Sequence, residues 1–423
     1  MFGRVSFGGR RLHFVGIGGA GMSGLALVAR GLGGQVSGSD RAESVYTERL
    51  RGAGIEPRIG HAAENVPEGA ELVVSTAIPA DNPEVAGRET IHRGDLLGEI
   101  TRMKRCIAVA GAHGKTTVTS MIAHVLAPKG AAYLIGGELR SSGTNAAWGE
   151  GEWIVVEADE SDRSFLKLAP EVAVVTNLEL DHHTAYASFA ELVETFEAWV
   201  APVGRRIQWE AVELPGPDVT YGLAGADLTP AVVPLELAVP GEHNVLNALA
   251  AVAACREAGV PVEESARALA SFTGAGRRFE PRGRSAGGAE VYDDYAHHPT
   301  EVRATLEAAR TLEPGRVVAC FQPHLFSRTQ KLAREFGRAL ALADVVYVVD
   351  VYPAREAAED FPGVDGYLVA KAAAHAARGR PVHWVPGLDE ATSALAGELR
   401  EGDLLLTLGA GDVERVAAGL TAT

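Results

Sequence analysis

Gly111-Ala-His-Gly-Lys-Thr-Thr117 is the stretch whose residue types point most directly to chemistry. A loop of small residues between a strand and a helix lets backbone N–H groups converge on phosphate oxygens. Lys115 then reaches the outer phosphates, and Thr116 offers a hydroxyl to Mg²⁺. The general loop G-x-x-x-x-G-K-[ST] is altered here, because Val109 stands where its first glycine would be. The expected phosphate-binding set is Gly111, Ala112, His113, Gly114, Lys115, Thr116 and Thr117. Further on, Glu157 closes an apolar strand at the head of Glu157-Ala-Asp-Glu160-Ser-Asp162, and Asp181-His182-His183 follows another strand. Mg²⁺ takes one or two protein carboxylates beside phosphate oxygens and water. Glu157 or its neighbour Glu160 is therefore an expected ligand, and His182 a less usual one.

A second nucleotide signal precedes the first. Gly16-Ile-Gly18-Gly-Ala-Gly21-Met22 fits G-x-G-x-x-G, and Asp40 lies about 20 residues on. By itself this turn fits either a dinucleotide oxidoreductase or an enzyme gripping the pyrophosphate of a nucleotide-activated substrate by the same helix N-terminus. A phosphate loop in the same chain favours the second. His243-Asn244-x-x-Asn247 opens an Ala-rich helix, with His243 and Asn247 on one face. Asn side chains there can read a donor and an acceptor on a purine edge, or simply cap the helix. Arg277-Arg278-Phe279 suits a hinge, an anion clamp or plain surface charge. Asp293-Asp294-Tyr295-Ala-His297-His298, with His324 and Arg328, collects groups suited to a carboxylate substrate and an incoming amine.

These residues need strands and helices that deliver them to one edge. Three segments each alternate β and α, which predicts an α/β fold with parallel sheets. In the first, strands at Leu12–Gly16, Gln35–Ser37 and Glu71–Ser75 form a doubly wound unit of about 100 residues. In the second, strands at Arg105–Ala110, Trp153–Glu157 and Val172–Thr176 precede an irregular or short antiparallel stretch from Gly204 to Pro240, then a helix over His243–Cys255. In the third, strands ending near Tyr295, Pro323, Asp350 and Leu408 are each followed by polar or Gly-rich residues. In open α/β sheets ligands sit outside the carboxyl ends of the strands, which is where those clusters fall.

Composition narrows the class. A chain of 423 residues is too long for one ordinary core, and a net charge of −16 leaves no basic stripe for nucleic acid. No run of 18 apolar residues is present, so no membrane partner is expected. Cys106, Cys255 and Cys320 lack metal-ligand spacing, which fits buried thiols in a reducing cytoplasm.

Read together, VGIGGAGMSGLA, STAIPADNPEV, AGAHGKTT, EADESDRSFL, TNLELDHHTAY, GEHNVLNALAA, RRFE, DDYAHHPTEV, FQPHLFSRT and DVYPARE resemble the Mur ligase family, in family order across nearly the whole chain. The resemblance implies a three-domain architecture. Residues 1–101 would be a Rossmann-like domain for a UDP-sugar, 102–273 a P-loop ATPase domain, and 274–423 a Rossmann-like domain closing over ATP and the amino acid. It implies ATP and Mg²⁺ as cofactors and UDP-N-acetylmuramate and L-alanine as substrates, in a monomer or weak homodimer. Gly18, Gly21, Met22, Ser23 and Asp40 would then serve the UDP end. Thr116, Glu157 and His182 would hold the metal, Asn244 and Asn247 would face adenine, and Arg278 and Asp294 would support the nucleotide. Tyr295, His297, His324 and Arg328 would line the sugar and amino-acid pocket, with Lys115, His182, His297 and Arg328 catalytic. The pattern departs from the family at Ala112, Leu325 and Ala296, where Thr, Arg and Gly are usual, and at His183. Family members that add later residues use a carbamylated lysine, yet no lysine occurs between Lys167 and Lys331. That absence counts against the members that add later residues, and EADESD and TNLELDH favour the branch that adds the first amino acid over the branch that attaches a tripeptide.

Overall fold

The computed structural model describes residues 7–180 and 185–421. The chain forms two compact units. One reaches to Ala238 and resumes over Val245–Ala275; the other comprises Val239–Asn244 and the chain from Gly276 onward. His182 and His183 lie outside the described residues.

Two sheets build the first unit. The N-terminal sheet contains β1 (Arg11–Val15), β2 (Gln35–Asp40), β3 (Arg58–Ile59), β4 (Glu71–Val74) and β5 (Thr90–His92), in the order β3-β2-β1-β4-β5 and parallel throughout. Helices α1 (Ala20–Gly31), α2 (Val45–Gly52) and α3 (Arg93–Thr101) connect or follow them. Helix α2 starts on a reciprocal cap: Ser44 accepts the Thr47 N–H, and Thr47 answers the Ser44 N–H.

The second sheet has the order β12-β11-β10-β6-β9-β7-β8. Its strands are β6 (Arg105–Ala110), β7 (Ala132–Leu139), β8 (Thr144–Ala147), β9 (Trp153–Glu157), β10 (Val172–Val175), β11 (Arg205–Trp209) and β12 (Val219–Tyr221). Around it run α4 (Lys115–Leu126), α5 (Phe189–Val200), α6 (Glu242–Glu257) and α7 (Val262–Leu269), with α6 spanning the division between the units. Strands β6 and β10 read as near-continuous apolar runs because helices cover both faces of a parallel sheet. Of the two alternatives expected after Gly204, irregular structure holds for most of the stretch, and the antiparallel pairing is corrected. Strand β11 joins β10 and then β12 in parallel, with Ile207 and Gln208 of Arg-Arg-Ile-Gln-Trp turned inward. The short turns rich in Pro and Gly around these strands disguised a continuation of the main sheet.

The C-terminal unit carries β13 (Glu280–Arg284), β14 (Glu290–Asp294), β15 (Arg316–Phe321), β16 (Val345–Val348), β17 (Val382–Trp384) and β18 (Asp403–Leu408). Their order is β13-β14-β18-β15-β16-β17, with only the β13–β14 pair antiparallel. Separate apolar clusters fill its two faces. Helices α8 (Pro299–Arg310), α9 (Phe326–Leu340) and α10 (Gly366–Ala376) contribute to one, and α11 (Leu388–Glu398) and α12 (Glu414–Thr421) to the other.

One buried polar network fixes the end of β2. Glu84 is fully buried and accepts Ser39 Oγ at 2.5 Å, Asn65 Nδ2 at 2.7 Å and the Ala62 N–H at 3.1 Å, with His13 Nε2 at 3.3 Å. Burial alone would raise the Glu84 carboxyl, but these donors outweigh it and hold the group below the usual carboxylate range. The Ser39 carbonyl in turn accepts the N–H groups of Gly16 and Ile17, so the network supports the first Gly-rich turn. Glu84→Ala strands these donors in a dry interior and is expected to cost about 3 kcal/mol of stability. Urea unfolding of the full chain measures this, and an unchanged midpoint would refute it.

Candidate functional site

The phosphate loop leaves the carboxyl end of β6, whose neighbours are β10 and β9. Register places Ala110 beside Val175 and Val109 beside Glu157. Three strand ends therefore bring the loop, Thr176-Asn177 and Glu157 together. Gly111 and Gly114 have φ of +136° and +80°, and neither tolerates a side chain. A Cβ on Gly111 would overlap Thr176 Oγ1, and one on Gly114 would stand 2.7 Å from Asn247 Oδ1. Asn247 thus lies against the loop itself. Thr176 Oγ1 and Asn177 Nδ2 donate to the His113 carbonyl at 2.6 and 2.9 Å, and Asn177 Oδ1 accepts the His113 N–H at 2.9 Å. The His113 ring reaches Glu179 at 3.1 Å. Sequence reading missed the clamp made by Thr176 and Asn177. Its signal was a polar pair directly after an all-apolar strand.

Lys115, Thr116 and Thr117 open α4, behind a left-handed Gly114. Lys115 Nζ donates to the carbonyls of Gly111 and Ala112 at 2.6 and 3.1 Å and pairs with Glu160 at 3.0 Å. Burial opposes its charge, but Glu160, Glu157 and Asp159 outweigh that and raise it above the ordinary lysine value. Thr116 Oγ1 donates to Glu157 Oε1 at 3.0 Å, and Glu157 Oε2 accepts the Gly136 N–H at 2.8 Å. A Cβ on Gly136 would sit 2.7 Å from that oxygen, so the carboxylate rests in a cradle only glycine leaves open. A hydroxyl and a carboxylate converging beside a phosphate loop form an oxygen donor set that fits Mg²⁺. Of the two acidic candidates, Glu157 has this placement, whereas Glu160 is engaged by Lys115.

At the first turn, Asp40 Oδ2 accepts the Gly18 N–H at 2.8 Å, and Ser44 Oγ donates to the Gly18 carbonyl at 3.1 Å. Gly21 and Met22 stand in the first helical turn, where backbone N–H groups have no intrahelical partner. The side chains of Met22 and Ser23 are buried. Ser23 Oγ donates to the Ala20 carbonyl, and Asn145 from β8 donates to the same carbonyl at 2.6 Å. These two positions therefore hold the helix start in place and do not turn side chains toward a ligand. Gly19 caps α1 without a side chain, leaving those N–H groups open to an anion.

Within the C-terminal unit, Tyr295, His297, His324 and Arg328 are brought together. The His297 ring meets Tyr295 and His324 edge-on at 5.3 and 5.8 Å, and His324 stacks on Tyr352 at 5.8 Å. Arg328, largely buried in α9, approaches His324 Nδ1 at 3.3 Å. Leu325 takes a φ of +69°, with its N–H on the Tyr352 carbonyl at 3.0 Å. Arg277 is not surface charge. It pairs with Asp293 at 2.8 Å and donates to the carbonyls of Gly409 and Gly411 at 2.8 and 2.9 Å. Arg278 lies 3.5 Å from Glu301 and, like Arg277, 5.3 Å from the Tyr295 ring. Asn244 donates to the Pro240 carbonyl at 2.7 Å. Burial and the Arg278 charge push His243 down to about 4, so its ring is neutral near pH 7. Asp294 accepts the N–H groups of Phe279 and Ala296 at 2.7 and 2.8 Å, yet burial pushes its carboxyl up to about 6.

Residues 11–105 match the model described as Mur ligase family, catalytic domain; 109–204 match the Mur ligase middle domain; and 277–411 match the Mur ligase, glutamate ligase domain. The chain belongs to the Mur ligase family. Its relatives include the UDP-N-acetylmuramate–L-alanine ligase of Streptomyces coelicolor, 46% identical over 95% of each chain. That of Rubrobacter xylanophilus is 45% identical over 97% of this chain and 99% of its own. Among solved structures, the UDP-N-acetylmuramate-alanine ligase of Thermotoga maritima superposes with a TM-score of 0.84 at 30% identity, covering 97% and 98% of the two chains. A murein peptide ligase from Psychrobacter arcticus reaches 0.70 at 25% identity over 98% and 99%.

Two outcomes follow from this geometry. Lys115→Ala is expected to lower ATP-dependent turnover by about 10²–10³-fold, on the order of 3–4 kcal/mol of barrier, with the fold intact by circular dichroism. Turnover near the parent rate would remove Lys115 from the phosphate site. For Asp294, the folded carboxyl keeps its proton up to about 6, whereas an unfolded aspartate loses it near about 3.9. Its contribution to stability is full below about pH 4 and is lost as pH rises through about 6. Asp294→Asn should therefore lose less unfolding free energy than the parent between about pH 4.5 and pH 7.5, as read by denaturant titration.

Proposed function

We propose that this ATP-dependent ligase joins L-alanine to the carboxylate of UDP-N-acetylmuramate, in peptidoglycan precursor synthesis. The observation that carries the reading is the pairing of a phosphate loop at the end of β6 with a second glycine turn at the start of α1, in one unit of a Mur ligase chain. The first turn would take the UDP end through the open N–H groups of α1, with Asp40 fixing Gly18. The region of residues 1–101 would thus hold the UDP-sugar, 102–273 the ATP, and 274–423 would supply the groups that meet the sugar and amino acid.

The muramate carboxylate attacks the γ-phosphorus of ATP, and ADP departs, leaving an acyl phosphate. Lys115, released from its loop carbonyls, neutralises charge on the transferring group. Thr116 and Glu157 would hold Mg²⁺, with His182 the further ligand that the resemblance implies; the ion supplies charge neutralisation at the phosphate oxygens. The amine of alanine then attacks the acyl carbon, and the tetrahedral intermediate expels phosphate as the amide forms. His297, His324 and Arg328 present two rings and a guanidinium in one cluster, suited to orienting a carboxylate and accepting the amine's proton. Asn244 and Asn247 would flank the adenine end, and Arg278 and Asp294 would support the nucleotide.

Tripeptide attachment to the same UDP-sugar is the competing chemistry. EADESD and TNLELDH, together with the similarity to alanine ligases, favour alanine. No helix among the described residues is long and apolar enough to cross a membrane, and the net charge of −16 opposes nucleic-acid binding. A cytoplasmic enzyme acting as a monomer or weak homodimer is what the likeness to the family suggests. With ATP, Mg²⁺ and UDP-N-acetylmuramate, L-alanine is expected to drive phosphate release and the tripeptide L-alanyl-γ-D-glutamyl-meso-diaminopimelate is not. Faster release with the tripeptide would overturn the assignment.

A further inference from the structure

The acidic turn after β9 faces two ways. Toward α4, Glu160 pairs with Lys115 at 3.0 Å, and Asp159 adds its field to the same ammonium. Toward the first sheet, Asp159 and Asp162 both accept Arg93 Nη2, at 2.6 and 2.9 Å. Arg93 is the first residue of α3, and its other terminal nitrogen, Nη1, lies 3.4 Å from where a Cβ on Gly21 would stand. One guanidinium thus touches the acidic turn of the phosphate-loop sheet and the first turn of α1. Arg93 is 19% exposed, Asp162 9% and Glu160 3%, so water screens these charges weakly, and more strongly only at Asp159, which is 34% exposed. Burial opposes the Arg93 charge, but Asp159 and Asp162 hold it above even its ordinary value. Asp159 is driven below the usual carboxylate range despite burial, by Arg93 first and Lys115 second.

We propose that Arg93 is a positioning residue that couples the ATP site to the UDP-sugar site. The inference rests on reading the α1 turn as the UDP end. When a triphosphate draws Lys115 away, Glu160 and Asp159 lose a counter-charge, and more of the balance of the turn falls to Arg93. Its pairing tightens, which fixes its Nη1 against α1 and keeps a positive charge beside the open N–H groups there. An anion at those N–H groups is then bound more strongly. By reciprocity, the UDP-sugar strengthens ATP binding by the same factor.

Calorimetric titration of the full chain with UDP-N-acetylmuramate, with and without the non-hydrolysable ATP analogue β,γ-methylene-ATP, tests the coupling. The parent should bind the UDP-sugar about fivefold or more tightly with the analogue present. Arg93→Gln should bring that ratio to about one while the affinity for the analogue alone stays within about twofold. Asp162→Asn, which removes one of the two carboxylates, should give an intermediate ratio and serves if Arg93→Gln does not fold. A parent ratio of one, or a parent-like ratio in either variant, overturns the inference. Failure of the parent to bind UDP-N-acetylmuramate at all overturns instead the reading of the α1 turn.

Discussion

The attraction between Lys115 and the acidic turn after β9 is the interaction on which the rest of the first unit is arranged. A lysine at the head of a helix, among helical N–H dipoles, is placed where cations are least welcome. It keeps its charge because Glu160, Asp159 and Glu157 surround it. Lys115 and Arg93 face the carboxylates of that turn from opposite sides, which offsets much of the cost of burying them. Neither cation can be removed without leaving the other with surplus negative partners. This mutual dependence explains why residues from α3, α4 and the turn after β9 meet at one place though they come from two different sheets.

Close approach is the second constraint. Thr176 and the Asn177 backbone fill the space a side chain at Gly111 would need, the Glu157 carboxylate fills it at Gly136, and glycine is what remains when side chains are excluded there. The parallel sheets provide the frame. Adjacent strands end level with one another, so polar residues just past each strand meet without any one loop being long. In the C-terminal unit the same logic gathers Asp294, His297, His324 and Arg328 beyond β14 and β15.

Much of this was legible in the sequence, for reasons that can be named. The phosphate loop, Glu157 and the sheet-forming runs are local patterns, and their spacing carries the structure directly. The alternating segments predicted an α/β chain with parallel sheets, and three such sheets are present. What escaped was non-local. Arg93 lies 66 residues from Asp159, and nothing in the HRGDLL stretch says which carboxylate it will find. Arg277 read equally as clamp, hinge or surface charge until the carbonyls of Gly409 and Gly411, more than 130 residues away, were seen beside it. The burial of the Met22 and Ser23 side chains was likewise not legible. They open α1 right after the Gly-rich turn, and helical geometry turns their side chains into the interior. Strand β11 was obscured because its charged ends and the surrounding prolines masked a parallel edge.

The position of β18 has a consequence for how the polypeptide is made. It is the last strand in the chain, yet it lies between β14 and β15 at the middle of its sheet. During synthesis the two N-terminal sheets can close in sequence as each emerges, since their strands are supplied before residue 222. The final sheet must instead wait with a gap at its centre, both flanking strands holding unsatisfied backbone groups, until Asp403–Leu408 clears the ribosome. Assembly of the unit bearing His297, His324 and Arg328 therefore comes after closure of the two N-terminal sheets, and the nascent chain can hold a finished phosphate loop well before it can hold the residues that would act on what the loop binds.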